Sequence, residues 1–383
     1  MRIVLPSIPI ILFFLLFSPT NFTLQDLTIY RQAGIALTTG ENPYNLPQMR
    51  HYGTIGWGGF DEMTLQIWTP PFALFIPLLL SILPLAGAKF LWAFSCCAVV
   101  VLSASIYRRL SSSDEVFAPL FATWGLCSAF WVNGLTWGSI APFQSIPFFI
   151  LVLLISSSPS SPKVIRVGLT LFFTSFKPQL TVAQLGKYTL AAIHNRSLLK
   201  TIVVGASCSL SCLLLCLLLR PTLFYDYLTI DKRPFLERAH SNVSLPKILN
   251  AQPWVSSTNF TALLLVFVVI FTLWHRATRN LTTERQIIEF TPLSFLIMPY
   301  CWGHDFILLL PWLTLLVGDY VKESIPWRRA SFLIGFFFWS AGQLILVSGD
   351  SGYAFFWSKY PLFAGLLVWL FLRFNQLRQQ TKL

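Results

Sequence analysis

Residues 201–219 read TIVVGASCSLSCLLLCLLL, nineteen positions without a charge. As a helix, at 1.5 Å per residue, such a run is about 28 Å long, close to the hydrocarbon thickness of a bilayer. Backbone amides in hydrocarbon must bond inside their own segment, which a helix achieves. A strand of a membrane barrel would alternate polar and apolar positions, and this run does not. The rest of the chain repeats the pattern. Of 383 residues, 55% are hydrophobic and 11% charged, where a soluble domain carries about 25% charged residues. Similar runs lie near 3–18, 88–106, 115–131, 138–157, 164–176, 178–193, 261–275, 287–302, 304–320, 330–348 and 354–373. They predict an all-α, polytopic integral membrane protein of about 12 transmembrane helices, folded as one transmembrane domain over residues 1–383. The opening MRIVLPSIPIILFFLLFSP has the look of a signal peptide but no small-x-small cleavage site, and is read as an uncleaved first helix.

One apolar run, 71–86, is different. It is short and surrounded or interrupted by Pro70, Pro71, Pro77 and Pro84. Proline removes a helix hydrogen bond, so this run is expected to be re-entrant or half-crossing. The charges agree. With Arg2 in the cytoplasm and 71–86 not crossing, Arg108, Arg109, Lys163, Arg166, HNRSLLK, HRATRN, KESIPWRR and the basic tail all fall inside, as the positive-inside rule requires. The long loop 220–260, which holds acids as well as bases, is the exception. Loops 19–70 and 220–260 then lie outside, and polar complexity concentrates on that face. The net charge of +12 reports this topology and argues for a lipid bilayer as partner, with no nucleic acid. Cys208, Cys212 and Cys216 lie near one helix face with no histidine or carboxylate beside them, so they read as apolar fillers and no metal is expected.

The outer loops hold the candidate chemistry. LQDLTIYRQAGIALTTGENPYN (residues 24–45) has amphipathic spacing, with Asp26, Tyr30, Ala33 and Gly34 on one face. Asp26 reads equally as an acid favoured by the dipole of a helix N-terminus or as a carboxylate presented to a cavity. Asn42-Pro43 starts a turn. Beyond it, MRHYGTIGWGGFDEM and WTPPF mix aromatic residues, glycines and a few charges, which suits a membrane interface or packing against sugar rings. Lys177 sits at a break before Pro178. It reaches the interface by snorkelling, or it meets a phosphate, for which an ammonium is a good point charge. His304 and Asp305 lie between two apolar runs, as a structural pair with Asp305 capping a helix or as the lining of a cavity where His304 handles a phosphate or a proton. No phosphate-cradling Gly-rich loop with lysine, GxSxG or HExxH motif occurs, and no cofactor is implied.

At this point the chain resembles a family. DLTIYRQAGIALTTGENPY, WTPPFALFIPLLLSILPLAGAKFLW, LFFTSFKPQL and PYCWGHDFILLLP are similar, in order and over roughly residues 20–320, to motifs of glycosyltransferase family 87. These are polyprenol-phosphate-mannose-dependent mannosyltransferases of the type C superfamily. The resemblance implies a type C fold and transfer of a sugar, mannose by analogy, from a polyprenyl-phosphate donor to a hydroxyl of a glycan or glycolipid acceptor. The site would face the extracytoplasmic side of the cell membrane. Asp26 would be the general base of an inverting displacement, because one base suffices when the lipid phosphate is expelled in a single step, whereas retention wants a second carboxylate. Lys177 and His304 would bind the donor phosphate. Tyr30, Tyr44, Arg50 and Asp305 would contact substrate. One departure is visible: where the family commonly has Gly-Gln, this chain has Gly138-Ser139, with Gln144 further on. A different class, a transporter or flippase for a lipid or small solute, would place its polar groups near the midplane and in repeated halves. Here they cluster toward one face and no repeat is evident.

Overall fold

The computed structural model describes residues 4–17, 24–45, 67, 69–111, 115–128, 130–131, 134, 138–155, 161–230, 244–250, 256–298, 301, 303–348 and 352–380. Of these, 85% are helical, with no strand among them. Arg50, Trp57, Asp61, Glu62 and Trp68 lie outside the described residues.

In chain order the elements that matter here begin with α1 (Ile8–Phe17) and α2 (Gln25–Thr38). A 3-10 turn, Pro71–Leu74, leads into α3 (Phe75–Ile82), which is followed by α4 (Leu85–Ser111) and α5 (Phe117–Phe121). Then come α6 (Ala141–Ile155), α7 (Ser161–Thr174), α8 (Pro178–Ile193) and α9 (Arg196–Leu219). The remainder comprises α10 (Leu223–Leu228), α11 (Leu245–Ile248), α12 (Ser257–Thr278), α13 (Thr283–Glu289) and α14 (Thr291–Ile297). A 3-10 segment, Gly303–Leu309, enters α15 (Leu310–Val321), and α16 (Pro326–Ser348) and α17 (Gly352–Gln380) close the chain.

Among the described residues, five helices are long and apolar enough to cross a membrane: Leu85–Ser111, Arg196–Leu219, Ser257–Thr278, His304–Val321 and Pro326–Leu346. The outward faces of α9, α12 and α16 carry Leu214, Leu218, Leu265, Val269, Phe337 and Leu344, all exposed. Contiguous apolar surface of this kind needs an apolar solvent or a partner. The run that opened the sequence is α9. Its cysteines face inward: Cys208 and Cys212 pack on Ala73, Phe172 and Phe176, and Cys216 lies with Tyr44 and Leu223. They are free thiols.

Two segments follow their prolines. From Pro71 to Ile82 the chain is helical for about 20 Å, short of the ~30 Å hydrocarbon core, and it packs along α2. The run near 287–302, expected as one span, is split. α13 ends at Glu289, Phe290 separates it from α14, and α14 carries Pro292 in its first turn, where the missing N–H does no harm.

An ionic knot ties α13, α15 and α17. Glu289, fully buried, accepts from Arg373 Nε at 3.0 and 3.1 Å, from Arg285 Nε at 2.9 Å and from Trp312 Nε1 at 3.1 Å. Asp319 accepts from Arg285 at 2.7 Å and Arg373 at 2.9 Å. Burying these charges is tolerable because each is both paired and hydrogen-bonded. Asp319 is fourteen positions after Asp305, about 21 Å along a helix. Along this segment the Asp319 side of the knot is therefore well separated from Asp305.

Candidate functional site

The site begins where α2 begins. Leu24, with φ 43°, precedes the helix, and Gly138, with φ 69°, lies against it. A Cβ on Gly138 would come within 2.7 Å of the Leu24 side chain. This close approach seats the start of α2 beside the loop that enters α6. Further along, Gly34 is buried against α3, where an added Cβ would lie 2.0 Å from the Pro77 carbonyl oxygen. The small residues of the motif thus serve backbone contact, and the polar residues on that face are left for the site. Arg31 Nε donates to the Leu83 carbonyl at 2.9 Å, closing the α2–α3 pair.

Asp26 stands in the first turn of α2, partly buried. Among the described residues, no N–H or O–H donates to its carboxylate, and no side chain caps α2. Asp26 thus occupies the first-turn position at which a helix dipole favours an acid, without making a capping bond. Burial raises its carboxyl from 3.8 to about 6; the Lys177 charge opposes this and the Asp305 charge adds to it. The cost of desolvating an unpaired carboxylate outweighs the nearby cation.

Lys177 precedes α8 and is held there by the break at Pro178. Its Nζ donates to Asp305 Oδ1 at 3.3 Å. Asp305 is buried, and His304 Nε2 stands 4.0 Å from the same oxygen. Asp305 therefore holds the lysine ammonium, with His304 near the same carboxylate oxygen. A ligand anion at Lys177 would share the ammonium with Asp305.

Tyr30, one turn beyond Asp26, accepts at 3.2 Å from the Thr69 hydroxyl. Burial raises its phenol above the usual value, so at neutral pH it keeps a proton to donate. Tyr30, Thr69, Gln144 and Lys177 border a small cleft whose accessible wall is almost wholly apolar and includes Ile140 and Phe176. Gln144 Nε2 donates to the Lys177 carbonyl at 2.9 Å.

The expected residues thus divide. Asp26, Tyr30, Lys177, His304 and Asp305 converge, from α2, the start of α8 and the 3-10 segment before α15. Tyr44 does not line the cleft. Its hydroxyl donates to the Thr69 carbonyl at 2.7 Å, and its ring lies 5.4 Å from that of Tyr227, so it braces the loop behind Tyr30. The Asn42-Pro43 turn is present, with Tyr44 N donating to Asn42 Oδ1 at 2.9 Å. Arg220 joins this region to the second long loop through the Gly40 carbonyl (2.8 Å) and Asp226 (2.6 Å). Arg50 lies outside the described residues. Thr69 is the residue that sequence reasoning missed; its signal was the Pro70-Pro71 pair that fixes the backbone after it. Among the described residues, no group of three or more His, Cys, Asp or Glu is placed to hold a metal ion. Protein-family models, curated proteins and solved structures give no match to this chain.

Proposed function

We propose that the protein is a membrane glycosyltransferase that moves a sugar, mannose by the family resemblance, from a polyprenyl-phosphate donor to an acceptor hydroxyl at the extracytoplasmic face. The observation that supports this reading is Asp26: a partly buried carboxylate to which none of the described residues donates a hydrogen bond, raised to about 6, within electrostatic reach of Lys177 and Asp305. A group with that value is ionised at pH 7 and is a stronger base than an ordinary aspartate, the balance a general base needs. In the proposed reaction an acceptor hydroxyl loses its proton to Asp26 as its oxygen attacks the anomeric carbon. The bond from that carbon to the lipid phosphate breaks, and the phosphate leaves with its electron pair. Lys177 stabilises the departing charge, and the Tyr30 phenol is a further donor toward it. Asp305 keeps the ammonium in place and is committed to that ion pair, which favours single displacement with inversion over a second nucleophilic carboxylate.

The setting fits a lipid donor. α2 and α3 are short elements beside helices long and apolar enough to span, so a head group held at the leaflet surface meets Asp26 without leaving the membrane. Arg108 and Arg109 follow Tyr107, which lies against Gly318 beside Asp319, and Arg328 pairs with Glu323 a few residues beyond it; this basic character supports a cytoplasmic assignment for that end of α15. In the full reading, about 12 spans and a type C fold surround this site. The test is to incubate purified protein with polyprenyl-phosphate-mannose and a panel of glycan and glycolipid acceptors. Transfer to at least one acceptor is expected. Absence of transfer to all of them, alongside transport of the lipid or of a solute, would replace the transferase with the flippase.

A further inference from the structure

Ten positions after Lys177, about 15 Å further along α8, stands a second lysine, Lys187. It is 4% exposed, so its ammonium has not reached solvent by snorkelling. Its Nζ lies 2.8 Å from His275 Nδ1 and 5.7 Å from the centre of the Phe290 ring. Among the described residues no carboxylate pairs with Lys187 or His275. A buried cation without a counter-ion is costly in a membrane helix. Arg373, by contrast, meets both Glu289 and Asp319. The pair also settles the imidazole. A lysine ammonium donates and cannot accept, so Nδ1 is the acceptor and the ring proton sits on Nε2. His275 is half-buried, and among the described residues nothing accepts from Nε2.

The surroundings are basic at one level and apolar at the next. Lys187 ties α8 to α12, where a Cβ on Gly186 would also touch the Phe271 ring at 3.6 Å. The neighbouring Tyr188 hydroxyl lies 2.5 Å from Thr201 Oγ1 and ties α8 to α9. The last turns of α8 and α12 and the first turn of α9 therefore come together. They bring Arg196, Lys200, Arg276 and Arg279, all exposed and none in an ion pair with a described carboxylate. Beside them, exposed apolar side chains run along the same three helices: Leu190 and Ile193, Leu199 and Val203, Val269 and Leu273. We propose that this is a binding site for an anionic phospholipid. The headgroup phosphate accepts from His275 Nε2 and the exposed basic side chains, and supplies across the imidazole the counter-charge that Lys187 lacks. The acyl chains lie on the exposed apolar residues. A free phosphate would answer the charge but not the apolar surface beside it. The site is separate from Asp26 and does not rest on the transferase reading.

The test is thermal unfolding of the full chain in neutral detergent with added phosphatidylglycerol, phosphatidylcholine or glycerol 3-phosphate at matched phosphate concentration. Phosphatidylglycerol is expected to raise the midpoint by about 3–6 °C more than phosphatidylcholine, and glycerol 3-phosphate to leave it unchanged. Lys187→Met and the double variant Arg276→Gln/Arg279→Gln should lose most of that difference. Lys322→Met, which removes the same charge from an exposed position after α15, should keep it. Equal stabilisation of wild type by the two lipids overturns the proposal whether or not any variant folds. Equal stabilisation by glycerol 3-phosphate would make the site one for a soluble anion and overturn the lipid. A loss in Lys322→Met as large as in Lys187→Met would reduce the effect to general charge attraction. Full retention of the difference in Lys187→Met, or in the double variant, would remove these residues and the proposal with them.

Discussion

Replacing Asp26 by Asn separates function from stability, because the structure predicts opposite signs for the two. The carboxyl rises from 3.8 to about 6, a shift of roughly 2 units, and each unit corresponds to about 1.36 kcal/mol. A folded-state value above the unfolded one means that the ionised group opposes folding. The penalty is complete above pH 6, shrinks as pH falls through that value, and is gone below about 4. The raw figure is about 3 kcal/mol. Asp26 is only partly buried, so solvent screening lowers it to about 1–2 kcal/mol. Asp26→Asn should therefore unfold at a higher temperature than wild type by a few degrees at pH 7.5, with the gap closing near pH 4. Sugar transfer should fall by about 10²–10⁴-fold, the range typical of a lost general base, with donor-lipid binding retained. In wild type, kcat/KM should decline tenfold per unit of pH below about 6. Thermal unfolding in detergent across pH and transfer of labelled mannose measure both. An Asp26→Asn protein that transfers nearly normally would refute the reasoning and leave His304 as the next candidate base; one destabilised at neutral pH would show that the carboxylate anchors the helix instead.

Three further outcomes follow from the packing. Gly34→Ala puts a Cβ 2.0 Å from the Pro77 carbonyl oxygen, so α2 and α3 must separate; a loss of about 1–3 kcal/mol and a drop in transfer are expected, read by thermal unfolding and the mannose assay. Glu289→Gln removes the charge that neutralises buried Arg373 and should cost about 3–5 kcal/mol, while the fraction that remains folded keeps its KM for the donor. For the sidedness, cysteines placed singly at Gly40 and Arg378 in a background without native cysteines should react with an impermeant thiol reagent from the outside and from the cytoplasm respectively; the reverse pattern would invert the proposed topology.

The apolar runs were legible because crossing a bilayer is a local requirement: length, absence of charge and proline position are all written in consecutive residues. That is why α4, α9, α12, α15 and α16 stand where their sequences put them, and why the proline-broken run 71–86 stayed short. The turn at Asn42-Pro43 was likewise readable, since it depends on near neighbours, whereas the use of Gly34 against the Pro77 carbonyl was not. The run near 287–302 was misread as continuous because its apolar character hid the break that Pro292 imposes after Phe290. What only the tertiary structure decided is which polar residues meet. Lys177 and Asp305 are 128 positions apart, and nothing in either segment says that the ammonium would find that carboxylate, that none of the described residues would donate to Asp26, or that the Tyr44 hydroxyl would be taken by the Thr69 carbonyl. Hydrogen bonds and ion pairs act over about 3 Å, and at that range the outcome is set by how helices rotate and approach one another, a property of the packed body that no single segment carries.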